Sequence, residues 1–231
     1  MTAIEYKGVC KSFPGGHGYA VDHVSAEIRE GEFVTILGSS GCGKTTLLKM
    51  TNRLYEPDEG SISLFGQDIA GRDPIALRRG IGYVIQQVGL FPHMTVEANI
   101  ALLPGLLGWD KARTRDRVTE LLALVGLARA LAAGPRLMLL DEPFGAIDAI
   151  TRTNLQNELL RIHKETGGTY LLVTHDINEA FRLGDRVMVM DRGRLLRFGT
   201  PREIVTDPAD GFVASLIASA REQEKFWEGV L

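Results

Sequence analysis

The sequence predicts an α/β fold: a mixed, mainly parallel sheet with flanking helices, an antiparallel β subdomain at the N-terminus, and an inserted, shortened helical lobe. Three observations predict it. After Gly134-Pro135, short apolar runs alternate with helical patterns, as parallel strands covered on both faces do. Earlier, the apolar run Phe33–Leu37 leads through a glycine-rich turn into a helical pattern. The first runs of all alternate apolar with polar residues, which suits a sheet with one wet face.

Taken in order, Ile4–Val9 and Val21–Ile28 are the alternating strands, and Phe33–Leu37 is a buried parallel strand. Lys44–Leu54 has helical apolar spacing. Ser61–Phe65 and Ile81–Ile85 are short strands separated by Gly, Asp and Pro. From Thr95 to about Ala133 apolar residues fall three and four apart, which marks the helical lobe, and Gly134-Pro135 stops it. The chain is therefore expected to be one domain over 1–231, with a core of 1–94 and 134–231 around a truncated lobe at 95–133. Then follow strand Leu137–Leu140, helix Arg152–Glu165, strand Tyr170–Thr174, helix Ile177–Leu183 and strand Val187–Met190. Gly193 and Gly199 bracket a terminal hairpin, and a helical tail closes the chain.

Composition narrows the function. Of 231 residues, 45% are hydrophobic and 24% charged, both ordinary for a globular protein. A net charge of -3 with interspersed signs lacks the basic excess of a nucleic-acid binder. Cys10 and Cys42 lie far apart without C-x-x-C spacing, so neither a disulfide framework nor a zinc site is expected, which fits a reducing cytoplasm. The N-terminus lacks the pattern of a signal peptide. The longest apolar segments, around Asn99–Trp109 and Leu121–Ala133, are broken by Pro104, Gly105 and Arg129 and are too short to span a bilayer. Work at a membrane would need docking by another protein.

Gly38-Ser39-Ser40-Gly41-Cys42-Gly43-Lys44-Thr45, followed by Thr46, fits the phosphate loop G-x-x-x-x-G-K-[ST]. ATP carries several negative charges, so its site needs many donors at close range. The three glycines let backbone amides turn inward as an anion nest, and the helix opening at Lys44 adds its positive end. Lys44 supplies a full charge to the terminal phosphates, and Thr45 a hydroxyl to Mg²⁺. Asp141 ends a buried strand, where a carboxylate is costly unless it serves a cation. Glu142 follows at the strand tip as candidate general base. His175 closes another apolar strand; alone it reads as a structural hydrogen-bonder, but parallel strands deliver their tips to the edge that carries the phosphate loop. Gln86 reaches that edge by the same logic, towards Mg²⁺ or the water. For Cys42 two readings stand: a small space-filling residue, or a thiolate favoured by the surrounding donors.

In this order the residues resemble the ATP-binding subunits of ABC transporters, with a P-loop NTPase core, over nearly the whole chain. The stretches 47–54 and 81–100 are similar to the subfamily that imports glycine betaine, choline, proline and related osmoprotectants. The resemblance implies Mg²⁺ contacts from Thr45, Gln86 and Asp141, a general base at Glu142, and γ-phosphate sensing by His175. It places Asp148 on a loop that communicates with a second copy in a head-to-tail homodimer. Phe13 matches an aromatic that stacks on adenine, alongside the plainer reading of a loop aromatic covering the core edge. The lobe would receive transmembrane permease subunits at the cytoplasmic face of the plasma membrane, with a periplasmic or extracellular solute-binding protein as an indirect partner.

One family element is missing from the sequence. Members carry Leu-Ser-Gly-Gly-Gln after the lobe, a loop that donates to the γ-phosphate held by the partner subunit. Here Leu127 runs directly into Ala128, and about twenty residues are expected to be gone. The leading reading is an ATP-hydrolysing subunit; the second is a degenerate subunit that binds ATP but turns it over poorly. A small-molecule phosphotransferase is a third, against which Glu142 beside Asp141 favours water as nucleophile.

Overall fold

The alternation of the first thirty residues becomes two long antiparallel strands, β1 (Thr2–Ser12) and β2 (Tyr19–Arg29). The computed structural model describes residues 1–16, 18–85, 94–121, 131, 134–145, 147–208 and 211–228. Ile4, Val9, Val21 and Ile28 are fully buried on this pair. The register slips where Val9 faces Val24 but Lys11 faces Val21, so β2 carries one extra residue there, a β-bulge opposite Cys10. β4 (Glu59–Leu64) pairs with β1, and β5 (Gln67–Asp68) with β4, giving the order β2-β1-β4-β5.

The continuous apolar runs are buried along their whole length: β3 (Phe33–Gly38), β7 (Leu137–Asp141) and β8 (Thr169–Thr174). β3 pairs in parallel with β9 (Arg186–Asp191), Gly38 opposite Met190, and β10 (Arg194–Gly199) returns antiparallel to β9. β8 neighbours β3 in the order β10-β9-β3-β8. β6 (Ile81–Val84) is parallel to β7. The α/β class read from the sequence holds.

Helix ends follow local chemistry. α1 (Lys44–Thr51) stops earlier than the expected Leu54 because Arg53 adopts a left-handed turn with φ 55°. α2 (Pro74–Arg79) is an addition: Asp73 accepts from Ala76 N at 2.8 Å and Pro74 fills the first helical position. The start of the expected lobe is two helices, α3 (Val96–Leu106) and α4 (Lys111–Leu121), separated by a turn with Gly108 at φ 73°. Thereafter come α5 (Ala149–Thr166), α6 (Ile177–Leu183), α7 (Pro201–Thr206) and α8 (Gly211–Glu228).

By contacts the chain divides into two compact units, Met1–Arg72 with Leu171–Leu231, and Asp73–Tyr170. The first holds both antiparallel strands and the phosphate loop. Its core joins Leu37, Val187 and Val189 of the sheet to Ala180, Ile204, Val213 and Ile217 of α6, α7 and α8. The second holds β6, β7 and α2–α5.

Candidate functional site

Residues 38–46 link β3 to α1, and packing shapes them. A Cβ at Gly38 would lie 2.2 Å from Met190 O and 2.6 Å from Cys42 Sγ. A Cβ at Gly43 would lie 2.1 Å from Ala20 O, and Gly43 sits at φ 104°, a conformation that glycine adopts without steric cost. Gly41, at φ 78°, makes the other left-handed step. The loop's back is tied down where Gly193 N donates to Cys42 O at 3.0 Å. α1 begins at Gly43 without a side-chain cap, the arrangement in which first-turn amides and the helix dipole favour an anion.

Lys44 is only 4% exposed. Its ammonium donates to Gly38 O and Ser39 O, each at 2.8 Å. These carbonyls orient the charge without neutralising it, and a buried cation with neutral partners favours an anionic ligand. Ser39, Ser40 and Gly41 are exposed and Thr45 and Thr46 half-buried, so the loop opens to solvent above a buried charge.

Cys42 sits in surroundings that favour the thiol. It is 3% exposed, and burial pushes its thiol up against the smaller opposing pull of Lys44. The donors that favour an anion in the nest serve ligand space, whereas the sulfur points into the packing against Gly38. This packing favours the space-filling reading.

In the same unit, His175 follows the tip of β8 and is exposed. Phe13 is 37% exposed and meets Tyr55 edge-on, with ring centroids 5.2 Å apart and planes at 73°. Lys11 lies 5.6 Å from the Phe13 ring centroid and Lys49 5.5 Å from that of Tyr55. Two readings of Phe13 are compatible with this: it has an aromatic neighbour and an open side.

The second unit carries the acids. Asp141 ends the fully buried β7 and is 3% exposed; Glu142 is half-buried at φ 45°. A non-glycine residue in that region stores on the order of 1–3 kcal/mol of strain, which tends to occur where a side chain is aimed for function. Asp148 caps α5, accepting from Thr151 N at 3.0 Å, and this hydrogen bond holds its carboxyl below the usual range. Gln86 and the Leu127–Ala128 junction lie outside the described residues.

Two loop neighbours escaped the sequence reading. Asp191, at the end of β9, accepts from Ser39 Oγ at 3.3 Å. The tip-of-strand argument applied to His175 would have found it had β9 been carried one residue past Met190. Tyr55 had no sequence signal, because only the β4 connection brings it beside Phe13.

A glycine-rich turn from a buried parallel strand into a helix, with a buried lysine beneath it, is the architecture of a phosphate-loop nucleotide-binding protein. Residues 21–126 match the family described as ABC transporter. The chain is 44% identical over 232 residues to the glycine betaine uptake system ATP-binding protein YehX of Escherichia coli (strain K12), covering 91% of this chain and 75% of that one. It belongs to the ABC transporter family, among its ATP-binding proteins. It is 45% identical over 240 residues to the choline transport ATP-binding protein OpuBA of Bacillus subtilis (strain 168), covering 94% of this chain. The chain spans 63% of the length of OpuBA and 60–64% of that of other osmoprotectant-transport relatives. Among solved structures it superposes on the dimeric post-hydrolysis state of the ATP-binding cassette MJ0796 bound to ADP and Pi, with a TM-score of 0.77 and 31% identity over 85% of this chain and 98% of that one. The OpuBA alignment has 240 positions but takes in 94% of 231 residues, about 217, so about 23 positions have no residue of this chain.

Proposed function

We propose that the chain is the ATP-hydrolysing subunit of an importer for osmoprotectants such as glycine betaine, choline or proline. The observation that carries this is the phosphate loop, a left-handed glycine nest closed over the buried ammonium of Lys44. Names of the relatives supply the substrate class. ATP would lie with its phosphates on Gly38–Thr46 and its adenine against Phe13. Thr45, Gln86 and Asp141 would hold Mg²⁺, which when bound neutralises phosphate charge. Their oxygen donors suit that hard cation. Glu142 would take the proton of the attacking water, and His175 would sense the terminal phosphate. Asp148 would stand towards a second copy of the chain.

The partners in this reading are that second subunit, permease subunits received on the helical lobe at 95–133, and indirectly a periplasmic or extracellular solute-binding protein. In this reading the chain attaches peripherally at the cytoplasmic face through those partners; among the described residues no helix is long and apolar enough to cross a membrane.

A second reading is favoured by a specific observation. The match to the family ends at residue 126, where Leu127 meets Ala128, and the relatives' alignment has positions this chain does not fill. A subunit lacking the signature loop would bind ATP and turn it over slowly. The test is ATP hydrolysis by the chain together with its permease partners, beside Mg-ATP binding by calorimetry. The first reading expects steady turnover that Glu142→Gln lowers by about 10²-fold or more while binding persists. Saturable binding with negligible turnover in both proteins carries the second reading. No saturable binding defeats both.

A further inference from the structure

The β subdomain holds a second constellation, built from residues outside the phosphate loop. Cys10, His23 and Glu59 come from three strands, and their ligand-type atoms all lie within 4.8 Å of one another. We propose that they form a binding site for Zn²⁺. The spacing argument that gave no zinc site from sequence looked for ligands close together along the chain. Here the sheet brings them together: Cys10 and Glu59 are direct cross-strand partners, and the β2 bulge sets His23 against Cys10.

The bulge is shaped to this end. His23 adopts φ 49°, and its backbone N–H donates to Cys10 Sγ at 3.2 Å. Such a donor stabilises negative charge on sulfur, which a metal-bound thiolate requires. The imidazole is oriented from behind, with Nδ1 2.7 Å from Asp22 Oδ1. Asp22 is anchored in turn by Arg194 Nε at 2.6 Å. Nε2 is then the nitrogen that can bind a cation while leaving this pair intact, the carboxylate–histidine arrangement common behind metal-ligating histidines. Glu59 is also supported: its Oε1 accepts from Tyr19 OH at 3.0 Å, and the Tyr19 ring stands edge-on to His23 with centroids 5.9 Å apart.

The donor set selects the metal. One sulfur, one imidazole and one carboxylate suit Zn²⁺ and fit Mg²⁺ or Ca²⁺ poorly, since those prefer oxygen alone. Cys10 is buried while His23 and Glu59 are exposed, so the sulfur forms the floor, the other two the rim, and a water completes four ligands from the solvent side. Binding exchanges the thiol proton of Cys10 for the metal.

The test uses the full chain, stripped with a chelator and titrated with Zn²⁺, and with Co²⁺ as a spectroscopic stand-in. The expected result is one tightly held equivalent, with a sulfur-to-cobalt charge-transfer absorption that Zn²⁺ abolishes and excess Mg²⁺ does not. Cys10→Ser removes that absorption, whereas Cys42→Ala, which alters the other thiol, retains it. Asp22→Asn weakens Zn²⁺ binding by about 10–100-fold, as loss of a supporting carboxylate does. Because His23 lies on the surface, His23→Gln keeps the fold, and the rise in melting temperature that Zn²⁺ gives the unaltered chain is lost in it. No saturable equivalent, an absorption that persists in Cys10→Ser, or an unchanged Zn²⁺ affinity in His23→Gln overturns the proposal.

Discussion

Lys44 and Cys42 stand two residues apart in one loop, and different partners surround them. The lysine ammonium is tethered by two carbonyl oxygens beneath the open loop. The cysteine is packed against Gly38 and held as a thiol, and a buried thiol is a poor nucleophile. Labelling of the native chain by a bulky disulfide reagent at neutral pH is therefore expected to be far slower at Cys42 than in urea, with ATP making little difference. Mass spectrometry of the labelled chain reads this directly. Complete labelling within minutes, blocked by ATP, would contradict it. The glycines of the loop were legible from spacing alone, because only glycine accommodates those turns. The state of Cys42 was not, since it depends on the sulfur packing against Gly38.

Strands and helices were legible wherever apolar periodicity was long. β3, β7 and β8 were each visible as continuous apolar runs and are each buried throughout. The short α2 was overlooked although Asp73-Pro74 is a recognisable helix start, because six residues offer too little periodicity to weigh against the surrounding turn residues. The β2 bulge had no sequence mark, since register belongs to a pair of strands. At the far end of β1, Asp58 is clamped by Lys11 Nζ and Ser12 N, each at 2.6 Å, and by Ser12 Oγ at 2.8 Å. These bonds, that of Lys11 foremost, bring the Asp58 carboxyl down to about 2. A depressed folded-state value stabilises the fold above the unfolded-state value near ~4, and that contribution is lost as pH falls from about 4 towards about 2. Asp58→Asn should therefore lower resistance to urea at pH 7, with the gap to the unaltered chain closing across that acid window. A gap that stays constant with pH would assign the effect to something other than the carboxylate.

The phosphate loop, Phe13 and His175 belong to one unit, and Asp141, Glu142 and Asp148 to the other. Under the proposed function, turnover is set by whether the terminal phosphate gains all its donors. Inserting about twenty residues with the family's Leu-Ser-Gly-Gly-Gln loop between Leu127 and Ala128 should raise ATP hydrolysis, since one missing group that stabilises developing charge costs roughly 10²-fold or more. Steady-state ATPase assays of both chains with the permease partners measure it. Equal rates would show that the segment does not limit the reaction.

The residue order was enough to specify the nucleotide loop, the buried strands and the family, because each rests on local rules: glycine's freedom, the two periodicities, and the cost of a charge at the end of an apolar strand. Three-dimensional packing alone settled the rest, namely the inert thiol, the aromatic beside Phe13, the clamp on Asp58, and the Cys10–His23–Glu59 cluster. Those depend on which strands pair and in what register, and side chains distant along the chain meet only once that pairing exists.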